Sequence, residues 1–589
     1  MSTEIKFDRS PFSISRQDLR EWPRRLLHVP TMRSHTRCSG NIYNGFQQPA
    51  YNTFSYTWGR FELIRESDSN DEERQVLPVS NITWPIPEIR PEIFNVEEFQ
   101  NAIHKASADT EWLWLDVACI DQKDDLTRDD EIGRQAAIFN NAVNSFIWLH
   151  ATPLDILQHL IDLLFESVSY IDNNSEAKYA ATHEIEDEEL PSDTGRYEKC
   201  IEDSGWIAKV WDTLSILESD PWFSSLWTLQ EAYLRQAGII LSKEGCMPER
   251  LNYDVVGLAS LLMAWGEIDR VIRAETNEIR RSTGSHASSL LPEADRLLER
   301  MERLGLEAGD NPIILYSAAG CRQTKYKEDR IYGIMQVFGF RLGKTTKPGT
   351  HYTLQELEKQ FAIALHERSA VWAQLFVHTQ PQLPGYHWCI SQSSRLPACL
   401  ALITMGTRSC STIEISQGST EAVFSGPACS FSDLKGAWDR TRADGRSTLN
   451  FWQTRDTEQG TIPIEVIILD NSHFAARHVP SHLRTLEHHN ELHPRNKSVG
   501  ELLASDSGCT LKVFLLGQIS SDADTSNIDE DEEMSIGGTE FLASVGILAR
   551  LVQYGGEERW QRIGITVWAN IPGSAIEDVD WCKIDAILD

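Results

Sequence analysis

The sequence predicts an α/β fold, with a mostly parallel sheet flanked by helices, followed by a helical region and an α+β C-terminal region. Three observations carry this. Short apolar runs around 53–57, 112–116 and 145–149 have the composition of buried strands. Segments of helical spacing lie between them, such as Phe99, Ala102, Ile103 and Ala106. Strands alternating with helices build parallel sheets covered on both faces, and such sheets bind ligands at the carboxyl ends of their strands.

Residues 1–45 read as a lead-in segment with a basic patch at Arg20, Arg24 and Arg25. The run 53–57 (TFSYT) reads as a strand that stops at a turn, Trp58-Gly59-Arg60. The run 112–116 (WLWLD) reads as a buried strand ending in an acid, so Trp58 and Asp116 both fall at strand ends. Ile132, Ala136, Phe139 and Val143 predict one helix, 145–149 a strand, and Leu154 to Phe165 an amphipathic helix. An acidic insertion follows near 171–205, and helical spacing returns from Ile207 to Leu217. Asp220 before Pro221 fits an N-cap followed by proline at the first helical position, predicting a helix over about 222–236 and then a strand at 239–241. Residues 46–245 are thus one domain, 246–345 a helical extension interrupted by a Ser-rich stretch at 282–289, and 346–589 an α+β region. In that last region 354–366 reads as helix, 464–468, 511–516 and 563–568 as strands, and 522–534 as an acidic loop.

Composition narrows the function. With 589 residues the chain is too long for one core. A net charge of −32 argues against general nucleic-acid binding and against docking on an anionic membrane. Eleven scattered cysteines with no CxxC pair, and no apolar stretch of spanning length, imply reduced thiols, a cytoplasmic location and no membrane-spanning segment. GxGxxG, GxxxxGK[ST] and GxSxG are all missing, so no metal or cofactor is expected from a standard motif. The pair His489 and His493 has a spacing that can bind metal on a helix, but it lacks HExxH and runs directly into Pro494. Cys119 follows a buried run without a partnered histidine and reads as an inert thiol.

Four stretches in order resemble the heterokaryon incompatibility (HET) family. They are Phe54-Ser55-Tyr56-Thr57-Trp58-Gly59 (LSYxWG); Trp114-Leu115-Asp116 through Cys119-Ile120-Asp121-Gln122 (WxDxxCIxQ); Ile138-Phe139 with Ala142 and Ile147-Trp148-Leu149; and Trp222-Phe223 with Trp227-Thr228-Leu229-Gln230-Glu231 (WFxRxWTxQE). A fifth, Asp329-Arg330-Ile331-Tyr332-Gly333, looks like a stretch that follows many HET domains. The chain departs from the pattern at Ser225, where the family has Arg, and at Phe139, where it has Tyr. Glu131 and Gln135 stand where Gln and Met are common.

HET domains in turn resemble TIR domains, which implies a TIR-like, flavodoxin-like sheet for 46–245. It also implies a role in fungal nonself recognition and regulated cell death. The TIR pattern of Trp, then Glu four positions on, falls on Trp227 and Glu231, so the resemblance makes Glu231 the catalytic residue for NAD cleavage. Tyr56, Trp58, Gly59, Asp116, Asp121, Gln122 and Trp227 are the candidates for substrate binding, with NAD as substrate rather than cofactor. Self-association and other incompatibility proteins are the expected partners. Each candidate has a structural reading beside the functional one. Glu231 can be a surface carboxylate or an ion-pair partner; Asp116, Asp121 and Gln122 can be loop and capping residues; Trp58-Gly59 can be a turn with an aromatic plug. Two function classes therefore stand: a NAD-cleaving enzyme, and a non-catalytic signalling module acting by homotypic or heterotypic protein interaction.

Overall fold

The computed structural model describes residues 21–63, 76–183, 200–249, 256–281, 289–306, 312–396, 405–415, 421–443, 448–450, 461–463, 465–470, 510–521, 541–569 and 574–589. They divide into two compact units, one within 13–308 and 318–357, the other within 309–317 and 358–589. Arg20, the acidic runs at 184–189 and 522–534, most of the Ser-rich stretch and the histidines at 488–493 lie outside the described residues.

The first unit is an α/β sheet. Its strands are β1 (Arg25–His28), β2 (Arg33–Thr36), a small hairpin of β3 (Ile42–Tyr43) and β4 (Phe46–Gln47), then β5 (Asn52–Ser55), β6 (Trp112–Trp114), β7 (Ser145–Trp148) and β8 (Ile239–Leu241). Six of them form one sheet in the order β2-β1-β6-β5-β7-β8. The pairs β5–β6, β5–β7 and β7–β8 are parallel, while β1 pairs antiparallel with β2 and β6. Within the parallel part the chain starts at β5, adds β6 on one side and returns to add β7 and β8 on the other. That reversal falls at the carboxyl ends of β5 and β7, the position at which doubly wound sheets bind ligands. Two strands of the segment read as a lead-in, β1 and β2, form the antiparallel edge of this sheet. Two of its arginines are committed internally: Arg24 Nε donates to Asp130 at 2.8 Å, and Arg25 lies 5.3 Å over the Trp84 ring.

All residues of β5, β6 and β7 are buried, because layers cover both faces of the sheet. Alternation sends Phe146 and Trp148 to one core and Ile147 to the other. On the first face, α1 (Val96–Ala106) starts with a reciprocal Asn95–Glu98 capping box and buries Phe99, Ala102, Ile103 and Ala106. Phe99 stacks on Trp148 at 5.3 Å. The second face is covered by α5 (Leu154–His183) and α6 (Ser204–Ser219), with the extension helices Leu258–Arg281 and Leu291–Leu304 joining the same core.

Two single helices expected from periodicity are each divided. The apolar repeat around 132–143 is α3 (Asp125–Ile132) and α4 (Gln135–Asn141), with α2 (Asp116–Cys119) before them. They part at Gly133, where an added Cβ would lie 3.2 Å from the Thr345 side chain. The segment after Asp220 is a 3-10 turn, Pro221–Ser224, and then α7 (Leu226–Leu234). Ser225 is extended between them (φ −81°, ψ 141°), and the Leu226 amide donates to the Gln323 carbonyl at 3.0 Å. The docked strand segment captures an amide that a continuous helix would have used internally.

The second unit is β-rich. Ala422–Ser430, Leu511–Ser521, Phe541–Tyr554, Glu557–Ala569 and Cys582–Leu588 pair around in turn, and Cys582–Leu588 also pairs with Ala422–Ser430, closing the ladder. The helix Phe431–Ala443 packs its Leu434 and Trp438 in one core with Trp568. The helix Leu354–Arg368 and the strands near 465–469, 511–521 and 557–569 fall where the sequence placed them. Among the described residues, no helix is long and apolar enough to cross a membrane.

Candidate functional site

The carboxyl end of β5 delivers Ser55, Tyr56, Thr57 and Trp58 in succession. The next parallel strand, β6, delivers Asp116 to the same edge. Tyr56 donates its hydroxyl to Asp116 Oδ1 at 2.9 Å, and Trp58 donates Nε1–H to Asp116 Oδ2 at 2.6 Å. The Val117 amide adds a third bond to Oδ1 at 2.7 Å. Burial raises the Asp116 pKa, while the Trp58, Tyr56 and Val117 bonds oppose that rise by favouring the anion. Thr57 Oγ1 meets His150 Nε2, beyond the end of β7, at 2.8 Å.

Glu231 comes to this edge from α7. Asp220, fully buried, fixes the approach: it accepts from the Trp222 amide (2.9 Å), the Ala151 amide (3.1 Å) and Thr152 Oγ1 (2.9 Å), tying the segment beyond β7 to the start of the 3-10 turn. The expected N-cap role of Asp220 is thus observed, with an added cross-link that the sequence did not reveal. Trp222 then donates Nε1–H to Ser55 Oγ at 2.8 Å. Glu231 is partly buried as a residue, but its Oε2 is enclosed and has no hydrogen-bond partner among the described residues. Burial pushes its pKa up to about 8; Ser55 pulls it down and the Asp116 charge pushes it further up. The carboxyl is therefore mostly protonated at neutral pH.

Tyr56, Trp58, Asp116 and Glu231 are brought together, linked through Ser55 and the Asp116 charge. The other candidates sit differently. Trp227 shares α7 with Glu231 and favours the ionised form of Asp329, which accepts from Thr324 Oγ1 at 3.1 Å, and a Cβ added at Gly333 would lie 3.0 Å from the Leu226 side chain of α7. The fifth sequence stretch therefore docks on the fourth. Gly59 opens a 3-10 turn, Gly59–Phe61, with open space where a Cβ would stand. Asp121 Oδ1 accepts from the Lys123 amide (2.9 Å) and the Asp124 amide (3.3 Å), and the Gln122 carbonyl accepts from Arg128 (3.3 Å). These are loop-holding bonds. Gln230 donates to Gln135 Oε1 at 2.5 Å and accepts from the Gln336 amide at 3.3 Å, which gives the departure at Gln135 a partner.

A small apolar cleft adjoins these residues, lined by Tyr56, Trp58, Leu77, Ile86, Phe94 and Phe99 among others. No charged side chain lines it, and it includes none of Asp116, Trp227 and Glu231. Cys119 is fully buried and its thiol pKa is pushed up to about 12 by burial, as an inert thiol requires. Glu131 is a second enclosed carboxylate. It accepts from the Arg24 amide at 3.0 Å and Trp114 Nε1 at 3.4 Å, and burial raises its pKa to about 7.

These carboxyls set a pH dependence of stability. A raised folded-state pKa means that the folded chain keeps a proton the unfolded chain has lost. The stability conferred by the protonated form is then full below about 4.5 and is lost as pH climbs toward about 8 for Glu231. Glu231→Gln is expected to remove this share and stabilise the chain at pH 8.5 relative to wild type by on the order of 2 kcal/mol. At pH 5 the difference should be small. Denaturant midpoints measured at both values check this.

No curated protein and no solved structure matches the chain. Residues 51–231, a span that opens beside β5 and ends on Glu231, match the family model described as Heterokaryon incompatibility protein (HET).

Proposed function

We propose that this HET-domain protein acts in fungal nonself recognition and regulated cell death, and that the domain does so by TIR-like cleavage of NAD, with Glu231 as the working carboxylate. One observation carries the proposal. Glu231 meets the carboxyl ends of the parallel strands where their order reverses, with an enclosed oxygen that no group among the described residues satisfies. A buried carboxyl oxygen without a partner is costly, and such groups concentrate at functional sites.

In this reading the bond between the nicotinamide nitrogen and the ribose C1′ breaks, and its electron pair leaves with nicotinamide, which becomes neutral. The oxocarbenium-like ribosyl group is stabilised by the ionised Glu231 and captured by water, and the water's proton passes to the carboxylate or to solvent. The cationic pyridinium ring itself favours ionisation of a carboxyl beside it. Self-association is assigned the task of opening the approach to Glu231, and other incompatibility proteins are the natural triggers.

A specific observation favours a second reading, a non-catalytic interaction module. The cleft beside Tyr56 and Trp58 is apolar and uncharged, unlike a site built around a dinucleotide's phosphates. NAD consumption by the full chain, tethered to force association, separates the two. Turnover that Glu231→Ala abolishes supports the enzyme; no turnover from folded, associated wild type sinks it and leaves the interaction module.

A further inference from the structure

We propose that residues 322–336 form a strap that sets the position of α7, with Arg322 and Gln230 as positioning residues for Glu231. The strap holds α7 at two levels. At its start, Gln323 and Ser225 form a short parallel bridge. The Leu226 amide donates to the Gln323 carbonyl at 3.0 Å, and the Gln323 amide donates to the Ser224 carbonyl at 2.8 Å. Midway along α7, Gln230 is fully buried and held from two sides. It donates to Gln135 Oε1 at 2.5 Å and accepts from the Gln336 amide at 3.3 Å. Gln336 Oε1 accepts from the Ala136 amide at 3.4 Å, so α4, α7 and the strap share one buried network. Successive helix residues point about 100° apart, so fixing Gln230 fixes the direction in which Glu231 leaves the helix.

Arg322 anchors the strap. It is 8% exposed, and its Nη1 donates to the Trp222 and Ser225 carbonyls, each at 3.4 Å, while Nη2 donates to the Leu304 carbonyl. One guanidinium therefore ties the 3-10 turn before α7 to the last residue of the helix Leu291–Leu304. Among the described residues no carboxylate pairs with it. Enclosing a cation without a counter-charge is costly, so the three carbonyls are what hold it in place. Glu231 has the opposite problem, an enclosed Oε2 without a partner among the described residues. Such a carboxyl gains by turning toward water, and a helix of nine residues can turn unless it is held. The strap opposes that turn. Its residues lie beyond the matched span 51–231, so that span does not by itself contain what holds its last carboxylate. This inference rests on the reading of Glu231 as the working carboxylate, but its test has a readout independent of turnover.

The titration of Glu231 is followed in the full chain by the infrared carbonyl band of its protonated carboxyl, identified by its disappearance in Glu231→Gln. Gln230→Leu removes both side-chain bonds at similar volume, and Arg322→Gln removes the anchor. In each the midpoint should fall by about one pH unit or more, as the freed helix lets the carboxyl reach water. The sign separates movement of α7 from a lost charge, because deleting a cation near a fixed carboxyl would raise its midpoint. Asp116 and Tyr56, which face Glu231 from the ends of β6 and β5, are unchanged in both chains. Folded variants in which Glu231 titrates as in wild type overturn the strap, whatever stability they have lost. Should neither variant fold, amide hydrogen exchange of the wild-type chain decides. The Gln323 and Gln336 amides should open together with those of Gln230 and Glu231 in α7. Strap amides that exchange about tenfold faster than those of α7 overturn the proposal. Where the wild-type chain turns over NAD, both variants should lose about 100-fold in kcat/KM, the scale of a misplaced working group. Absence of turnover from wild type sinks the enzyme reading alone, since the infrared titration still decides the strap.

Discussion

Asp470→Ala is expected to lower the stability of the C-terminal unit by about 3–5 kcal/mol, the cost of stranding a buried charge. Its partner Arg562 has a side chain 0% exposed, and that of Asp470 is 2% exposed. Arg562 Nη1 donates to both Asp470 oxygens, at 2.8 and 3.1 Å, and the His378 amide donates to Oδ1 at 2.8 Å. The guanidinium lies 4.2 Å over the Phe376 ring and donates to the Phe376 carbonyl. Burial drives the Arg562 pKa down and the Asp470 pKa up, and each charge opposes the shift of the other. Removing the carboxylate leaves the guanidinium enclosed without its counter-charge. The double variant Asp470→Leu with Arg562→Met should recover most of the loss, because replacing both charges with apolar groups leaves neither stranded. Urea unfolding of the three chains, followed by the fluorescence of the nearby tryptophans, measures both steps. A single variant as stable as wild type would show that the pair is not holding this unit.

Glu231→Gln is expected to reduce NAD cleavage by about 10³-fold or more, the scale of losing a principal electrostatic stabiliser of a cationic transition state. The same substitution should raise stability at alkaline pH, since it removes a carboxyl whose ionisation burial opposes. Loss of activity with gain of stability is the signature of a group retained for function rather than for folding. A residue that merely packs would lose both. Steady-state rates of the associated full chain and its denaturant midpoint at pH 8.5, taken on one preparation, report the two effects together.

Much of this architecture could be read in advance because its strands are short, buried on both sides and bounded by polar residues. The runs around Phe54, Leu113, Ile147 and Ile240 each became a parallel strand. The antiparallel strands at Arg25–His28 and, at the sheet edge, Arg33–Thr36 escaped notice because they mix charged and apolar residues. The break at Ser225 was hidden for a different reason: the Gln323 carbonyl that captures the Leu226 amide lies nearly a hundred residues on. Tyr56, Trp58, Asp116 and Glu231 were found through motifs, and the structure joins them. Ser55 and Trp222 were visible in the same motifs but read as parts of a strand and a helix, since a hydrogen bond across 167 positions leaves no local trace. The approach of Trp227 to Asp329 is long-range in the same way.

The most direct measurement of the central claim is the pH dependence of kcat/KM for NAD cleavage by the associated full chain, wild type beside Glu231→Gln. The expected result is a rate that rises with pH to a plateau, with a midpoint near the Glu231 pKa of about 8, and a variant with no such limb and only residual rate. A wild-type chain that consumes no NAD at any pH, or a Glu231→Gln chain that keeps the wild-type rate and profile, would contradict it.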